Sequence, residues 1–194
     1  LMEKEFQQYI IKQLTKRNGY IERKSTCFDR YFAIDREMLF KFLWDTQAET
    51  MEPLRKIYKD TLEETVVNYL NAEMTKTKGS LLNVLKHGVE IANYKLHLMY
   101  TKPATTFNQE LLDKYEKNIF SVMEEVWASD KERIDLVIFL NGLAIMSFEL
   151  KCDMAGQSYE DAIFQYRTER NPKSRLFLFK AGCFVNFAMD LEQV

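Results

Sequence analysis

Hydrophobic residues recur every three or four positions in the first part of the chain, the spacing that places them on one face of a helix. Phe6, Ile10 and Leu14 form such a stripe, and Asn18-Gly19 supplies a helix stop. The pattern therefore predicts a first helix over residues 3–17.

The same periodicity continues through the middle of the chain. Residues 35–100 are predicted to be mostly helical, with interruptions at 78–80 and 101–103, and residues 108–118 form one more short helix candidate. No internal repeat or low-complexity stretch is present in the sequence.

The pattern changes after residue 132. Residues 133–140 and 143–151 are rich in β-preferred side chains and flank Asn141-Gly142, a strong hairpin signal. Both faces of the first arm are apolar except for Asp135, so we expect the sheet to be covered on both sides.

Helical spacing returns near the end of the chain. It covers residues 157–170 and stops at Asn171-Pro172, after which residues 175–179 and 183–189 are predicted to be two further strands. The chain thus combines helices and strands in one α/β core.

Composition narrows the class of protein. With 194 residues, 46% hydrophobic and 29% charged, the chain matches a single folded domain rather than a disordered one. No apolar stretch is long enough for a membrane helix, and the charged start lacks the apolar core of a signal peptide, which predicts a soluble cytoplasmic protein with no membrane partner.

Several chemistries have no supporting motif. The two histidines have no ligands at metal spacing beside them, and the three cysteines are widely spaced, which argues against zinc and disulfides. Neither the serine-hydrolase elbow nor the phosphate-binding P-loop occurs, so we expect no ATP site in this segment.

The hairpin carries the candidate chemistry. Glu149 and Lys151 lie two apart on a strand and share a face, whereas Leu150 faces the other way. A two-residue turn would pair Asp135 with Phe148 and place it on the wrong face.

A three-residue turn over 140–142, with a bulge and a positive φ at Gly142, would instead set Asp135 across from Ser147 and bring the three polar side chains together. We therefore predict the three-residue turn.

Two carboxylates and a lysine at one site suit phosphodiester hydrolysis. Asp135 and Glu149 supply the oxygen ligands that Mg²⁺ prefers, the Leu150 carbonyl is a further candidate ligand, and Lys151 can orient water or offset negative charge. An edge-strand ion pair is the alternative interpretation of the same three residues.

The sequence also resembles a known family. Residues 134–143, 148–151, 155–157 and 161–167, together with the opening helix and the segments 42–47 and 83–88, are similar to the N-terminal endonuclease domain of the restriction (R) subunit of type I restriction-modification enzymes. The resemblance covers nearly the whole chain.

The resemblance implies a PD-(D/E)xK nuclease core, a mixed sheet flanked by helices, with Asp135, Glu149 and Lys151 as the catalytic set and Mg²⁺ as cofactor. It divides the chain into an opening helix and strand region (1–34), a mainly helical insertion (35–128) and the catalytic hairpin with its following helix and strands (129–194).

The resemblance further implies partners. Double-stranded DNA would be the substrate, separate modification and specificity subunits would choose the sequence, and ATP would act only in a helicase motor that follows in the same chain. The chain's end at 191–194 suggests a fragment that precedes this motor. Another nuclease of the same fold, from repair or mobile elements, and an inactive docking module remain alternatives.

Two further roles come from the resemblance. Glu3 corresponds to a glutamate that approaches the metal site, with Glu5 as a neighbour and simple helix-dipole charge as the alternative. Gln165 matches the glutamine of a Q-x-x-x-Y motif whose tyrosine is absent, since residue 169 is Glu, and Tyr166 is interpreted as core packing.

The net charge of −2 gives no global signal for nucleic acid, but residues 166–180 are locally basic. A solvated surface is the default interpretation of such a run. For a nuclease, the basic side chains of this segment are candidates for phosphate contacts: Arg167, Arg170, Lys173 and Arg175.

Overall fold

The computed structural model describes residues 3–105, 107–152 and 156–194. The helices are α1 (Glu3–Asn18), α2 (Arg36–Tyr58), α3 (Leu62–Thr75), α4 (Leu81–His87), α5 (Gln109–Glu116) and α6 (Tyr159–Thr168). The strands are β1 (Ile21–Arg23), β2 (Phe28–Asp29), β3 (Ile34–Asp35), β4 (Val89–Ile91), β5 (Tyr94–Leu96), β6 (Phe120–Trp127), β7 (Arg133–Leu140), β8 (Leu143–Leu150) and β9 (Val185–Met189). Ala155 of the motif 155–157 lies outside the described residues.

A seven-stranded mixed sheet forms the centre of the fold. Its order is β1-β6-β7-β8-β3-β2, with β9 added to β8. The pairs β1–β6 and β8–β9 are parallel, whereas the other pairs are antiparallel. Helices flank this sheet, which confirms the predicted α/β class.

The central strand β7 is buried on both faces. Leu136 and Ile138 belong to the larger hydrophobic cluster, which includes side chains of α1 to α4, whereas Val137 and Phe139 belong to a second cluster with Leu176. The expectation that the sheet is covered on both sides is therefore confirmed, and β7 is fixed in position between two cores.

The opening helix matches its prediction closely. α1 begins at Glu3 and ends at Asn18, and its apolar stripe buries Phe6 and Ile11. Gly19 follows with a φ of 70°, the left-handed conformation that ends many helices.

The middle of the chain holds α2 to α5 as expected, but it also contains strands. Residues 89–96 form the small hairpin β4–β5, whose turn residues Ala92 and Asn93 have φ values of 48° and 65°. Their tight turn lacks the usual Asn-Gly sequence, and for this reason the periodicity alone predicted a helix. β6, at the end of this region, belongs to the central sheet.

The strand predicted over residues 175–179 is wrong. This segment makes successive turns, with Phe177 N–H donating to Ser174 O and Cys183 N–H donating to Leu176 O. Its apolar residues are there because Leu176 packs into the second core, not because the backbone pairs with a strand. The prediction of a strand within 183–189 is confirmed by β9.

None of the helices in the described part of the chain combines the length and the apolar character that crossing a bilayer requires.

Candidate functional site

The hairpin turn between β7 and β8 differs from its prediction. Leu140 pairs with Leu143, so the turn has two residues, and Asn141 and Gly142 have φ values of 50° and 78°, as a type I′ turn requires. The three-residue turn is therefore wrong, whereas the positive φ of Gly142 is confirmed.

Tertiary hydrogen bonds explain why the tighter turn forms. Asn141 is fully buried, its Oδ1 accepts from Ile119 N–H at 2.6 Å, and its Nδ2 donates to Leu98 O at 2.9 Å. These contacts hold a non-glycine residue at positive φ, which the local sequence does not reveal.

The two-residue turn alone would place Asp135 and Glu149 on opposite faces of the sheet, and a bulge on β8 brings them to the same face. Phe139 pairs with Ala144 but Ile138 pairs with Met146, so Ile145 is an extra residue on β8. Below the bulge Leu136 pairs with Phe148, and the same register places Asp135 beside Glu149. The predicted convergence of the two carboxylates thus occurs by a different backbone route.

Asp135 is held by its neighbouring strand. It is 7% exposed, and its Oδ2 accepts a 2.7 Å hydrogen bond from the Leu150 N–H. The Leu150 side chain points into the larger core, on the opposite face, as predicted. One oxygen of Asp135 is therefore fixed by backbone, which orients the carboxylate.

Glu149 is held by an arginine from beyond α6. Its carboxylate is 1% exposed, and its Oε1 accepts hydrogen bonds from Arg170 Nε at 2.9 Å and from an Arg170 terminal nitrogen at 2.5 Å. The Arg170 side chain is 8% exposed and also donates to Arg133 O. Arg170 is thus an interior counter-ion of Glu149.

The loop that carries Arg170 is anchored at the next residue as well. Asn171 N–H donates to Oε1 of the buried Glu132 at 2.5 Å, and the other oxygen of Glu132 accepts from the Ser129 hydroxyl. Because Glu132 precedes β7 directly, these contacts fix the end of α6 against the start of the β7–β8 hairpin.

Two further acids lie near Asp135. Glu125 falls between the paired residues Glu124 and Val126 of β6, at the level of Asp135, with a φ of 55°, and its carboxylate pairs with Arg133. Glu3 begins α1, which Gln7 ties to β7 by donating to Asp135 O at 3.0 Å.

Electrostatics shows that these acids influence one another. Burial, followed by the charge of Asp135, raises the pKa of Glu149 to about 8, although Arg170 and Lys151 oppose this. Burial also raises the pKa of Asp135, and burial together with Asp135 raises that of Glu3. Glu3 also begins α1, the position that the helix-dipole alternative requires.

Lys151 extends the same face. Its N–H donates to Met189 O at 2.9 Å, its side chain is 9% exposed, and its charge lowers the pKa of Asp135, Glu149 and Glu3 against the larger effect of burial. The structure therefore brings Asp135, Glu149, Lys151 and Glu3 into one electrostatic cluster.

α6 covers this face and contributes polar groups. Tyr166 shares a 2.8 Å hydrogen bond with the Ser147 hydroxyl and packs edge-on against Phe177, consistent with its interpretation as a packing residue. The Gln165 Oε1 is buried and has no hydrogen-bond partner among the described residues. A buried polar atom in this condition commonly marks the place of a water, ion or ligand.

The basic residues of the 166–180 segment divide into two groups. Arg167 and Lys173 are exposed. Arg175 is largely enclosed, because its guanidinium donates to Asn71 at 3.0 Å and to Ala181 O at 2.5 Å. Arg170 and Arg175 therefore serve as internal contacts in this structure, whereas the other two face solvent.

The carboxylate pair fits a magnesium ion by its chemistry. No group of three or more His, Cys, Asp or Glu side chains among the described residues is arranged to hold a metal. Mg²⁺, however, commonly uses one or two carboxylates together with waters, and Asp135 and Glu149 provide two adjacent ones. Their raised pKa values indicate carboxyl groups that a nearby cation would stabilise as anions.

Sequence reasoning missed three residues of this site. Glu125, Glu132 and Gln7 are contributed by the strand, loop and helix around the hairpin. Their roles depend on tertiary contacts that no spacing rule contains.

Comparisons with known proteins give one result that covers nearly the whole chain. Residues 1–189 match the family model of the type I restriction enzyme R protein N terminus. A comparison with curated proteins gives no match.

Proposed function

Because this chain belongs to the family of type I restriction enzyme R protein N-terminal domains, we propose that it is the endonuclease domain of such an R subunit. In this proposal it hydrolyses phosphodiester bonds of double-stranded DNA with Mg²⁺ and has no sequence specificity of its own. The observation that carries the proposal is the cross-strand placement of Asp135 and Glu149, with Lys151 on the same face.

Asp135 and Glu149 would hold the metal, with the Leu150 carbonyl and Glu3 as additional candidate ligands. When bound, Mg²⁺ lowers the pKa of water and offsets charge on the phosphate. Lys151 lies on the same face as both carboxylates, where its ammonium group can orient the attacking water and stabilise the negative charge that develops on the phosphate. Gln165, with its unpartnered Oε1, is a hydrogen-bond acceptor for that water.

Arg170 has a defined part in this proposal. Its guanidinium donates two hydrogen bonds to one Glu149 oxygen in the metal-free chain, so a divalent cation has to compete with this contact, and below a pH of about 8 with the proton on Glu149 as well. Both hydrogen bonds from Arg170 go to Oε1 of Glu149, so the second oxygen, Oε2, offers a metal the first point of attachment.

In this proposal the exposed basic residues of the protein contact the DNA. Arg167 on α6 and Lys173 on the following loop are free to meet phosphates, whereas Arg170 and Arg175 act as internal supports. Phosphate contacts carry no base information, which suits an enzyme that cleaves without choosing a sequence.

The remaining partners follow from the family. Modification and specificity subunits would supply recognition of the DNA sequence, and a helicase motor elsewhere in the R subunit would use ATP. Translocation by this motor would deliver the duplex to the carboxylate pair.

Metal binding tests the proposal directly. We expect Mn²⁺, followed by electron paramagnetic resonance, to occupy a saturable site on the 194-residue chain that Asp135→Asn and Glu149→Gln abolish. Glu63→Gln, an exposed charge change on α3, is the matched control and leaves binding unchanged. A chain that binds no Mn²⁺, or that binds it equally after all three substitutions, is a nuclease-like docking module instead.

A further inference from the structure

A cavity of about 490 Å³ lies in the helical insertion, apart from the carboxylate pair. It is half open to solvent and is lined by side chains of α2, α4, β5 and α5, and by the segment 97–103. Asn141, at the hairpin turn, donates to Leu98 O beside this cavity. Asp135 precedes Asn141 by six residues, which is about 20 Å along an extended strand. The cavity is therefore a second, separate feature of the molecule.

The wall of the cavity is rigidly held. Gln47 interrupts α2 with a φ of −151°, and its side-chain amide pairs with both backbone groups of His97, at 2.7 and 2.9 Å. Asn118 does the same for Tyr100, accepting from its N–H at 3.2 Å and donating to its carbonyl at 2.6 Å. Two amide side chains thus fix the segment that presents His97 and Tyr100, and little ordering is needed when a ligand binds.

The charge of the lining is positive. Lys86, Lys95 and Lys114 line the cavity against a single carboxylate, Glu49. Lys114 is engaged with Glu110 at 2.9 Å and with Glu49 at 3.6 Å. Lys86 and Lys95 take part in no ion pair within the described ranges, so their charges are available to an anion.

The cavity also has apolar and aromatic surface. The rings of His97 and Tyr100 lie 5.5 Å apart between centroids, at 34° to one another, and Leu85 and Pro103 add apolar area. A ligand that suits this lining has a planar body and an anionic group, and the volume is typical of sites for small organic molecules.

We propose that this cavity binds a small phosphorylated aromatic compound of the nucleoside monophosphate class, with its phosphate at Lys86 and Lys95 and its base against the rings of His97 and Tyr100. The site is independent of the nuclease proposal, because it shares no residue with the carboxylate pair. A ligand bound here would act on the helical insertion and would take no part in hydrolysis.

Binding has a spectroscopic signature at His97. Burial and then the charges of Lys95 and Lys114 lower the pKa of His97 in the free chain. A bound phosphate dianion reverses the effect of the lysines and raises this pKa. The chain has only two histidines, so the imidazole signal of His97 can be followed by NMR without ambiguity once His87→Gln has assigned it.

The experiment titrates the 194-residue chain with adenosine 5′-monophosphate, adenosine, inorganic phosphate and a single-stranded oligonucleotide. We expect saturable calorimetric binding of the monophosphate, about tenfold or more tighter than that of adenosine or phosphate, together with a rise in the pKa of His97. Lys86→Gln and Lys95→Gln each weaken the binding about fivefold or more. Lys56→Gln, an exposed lysine of α2 outside the cavity, changes it less than about twofold.

Three results would overturn the proposal. They are the absence of saturable binding up to about 10 mM monophosphate, equal weakening by Lys56→Gln, and oligonucleotide binding that the monophosphate does not displace. The last result would assign the lysines to a nucleic-acid surface. The cavity shares no residue with the carboxylate pair, so a failure to bind the monophosphate does not bear on the nuclease proposal.

Discussion

The guanidinium of Arg170 and the carboxylate of Glu149 meet through two hydrogen bonds to one oxygen, 2.9 and 2.5 Å long, with both side chains almost excluded from solvent. The two residues lie 21 positions apart, on opposite sides of α6. This ion pair places the buried positive charge of Arg170 beside Glu149, which the nuclease proposal assigns to metal binding. It therefore connects the stability of the chain with its chemistry.

Removing Arg170 should destabilise the fold. In Arg170→Gln a buried carboxylate loses its counter-ion, and we expect the free energy of unfolding to fall by about 3 kcal/mol at pH 8.5. Urea unfolding monitored by circular dichroism measures the loss. The control is Arg167→Gln, an exposed arginine on the same helix, for which a change below about 0.5 kcal/mol is expected. Equal losses in the two variants would show that the ion pair is not structural.

The same variant should bind divalent metal more tightly. With the competing guanidinium removed, the affinity of the folded chain for Mn²⁺ rises, and Arg167→Gln leaves it unchanged. Calorimetric titration at a pH above 8 separates this gain from the cost in stability. Weaker binding in Arg170→Gln would mean that Arg170 orients Glu149 for the metal rather than competing with it.

The hairpin turn gives a test of packing. Gly142 has a φ of 78°, and a Cβ added there would lie 2.4 Å from Asp35 O and 2.6 Å from Leu39 N. We expect Gly142→Ala to lower the free energy of unfolding by about 3 kcal/mol or more. Gly19→Ala, at a φ of 70° but with no atom within 4 Å of the added Cβ, should cost only about 1 kcal/mol. If the two substitutions lower the free energy of unfolding by similar amounts, the close approach of α2 to Gly142 is not the cause of the loss.

Stability should fall as the pH rises toward 8. The pKa of Glu149 is about 8 in the folded chain against an ordinary 4.5, so between these values the folded chain holds a proton that the unfolded chain releases. The free energy of unfolding of the metal-free chain therefore decreases across this window, and Asp135, whose pKa is also raised, acts in the same direction. In Glu149→Gln the decrease should be smaller by on the order of 5 kcal/mol.

Urea unfolding at several pH values, with EDTA present, measures this difference. Glu63→Gln is the control and keeps the slope of the parent chain. A Glu149→Gln variant with an unchanged slope would assign the pH dependence to other groups.

Among the four basic residues considered, only the exposed ones, Arg167 and Lys173, should contribute to DNA binding. Arg167→Gln and Lys173→Gln should each lower the slope of log K against log salt by about 0.9, because each loses one phosphate contact. Arg175→Gln should leave the slope unchanged and reduce stability, since its guanidinium joins Asn71 and Ala181 inside the fold. Binding to unrelated duplexes at several salt concentrations measures both effects, and a marked preference for one duplex would indicate base readout.

Local patterns were sufficient to predict much of the architecture. The apolar stripe of α1 and the Asn-Gly dipeptide between β7 and β8 are signals contained within a few residues, and both elements form where expected. The double-sided burial of β7 followed from its apolar residues on both faces.

The details of the site depend on contacts that local patterns do not contain. The bulge at Ile145 lies within an apolar run that looks regular, and Asn141 keeps its positive φ through hydrogen bonds to Ile119 and Leu98. Arg170 reads as a solvated base until α6 and its loop place it against Glu149. Parity arguments therefore predicted the convergence of Asp135 with Glu149 but not the backbone route to it.

Cleavage of supercoiled plasmid by the assembled restriction enzyme tests the central claim most directly, with ATP hydrolysis measured in the same samples. We predict that Asp135→Asn, Glu149→Gln and Lys151→Met each abolish Mg²⁺-dependent cleavage, whereas ATP hydrolysis continues at the parent rate and Glu63→Gln retains both activities. Cleavage that persists in any of the three variants would remove that residue from the catalytic set, and persistence in all three would contradict the assignment of this hairpin as the nuclease site.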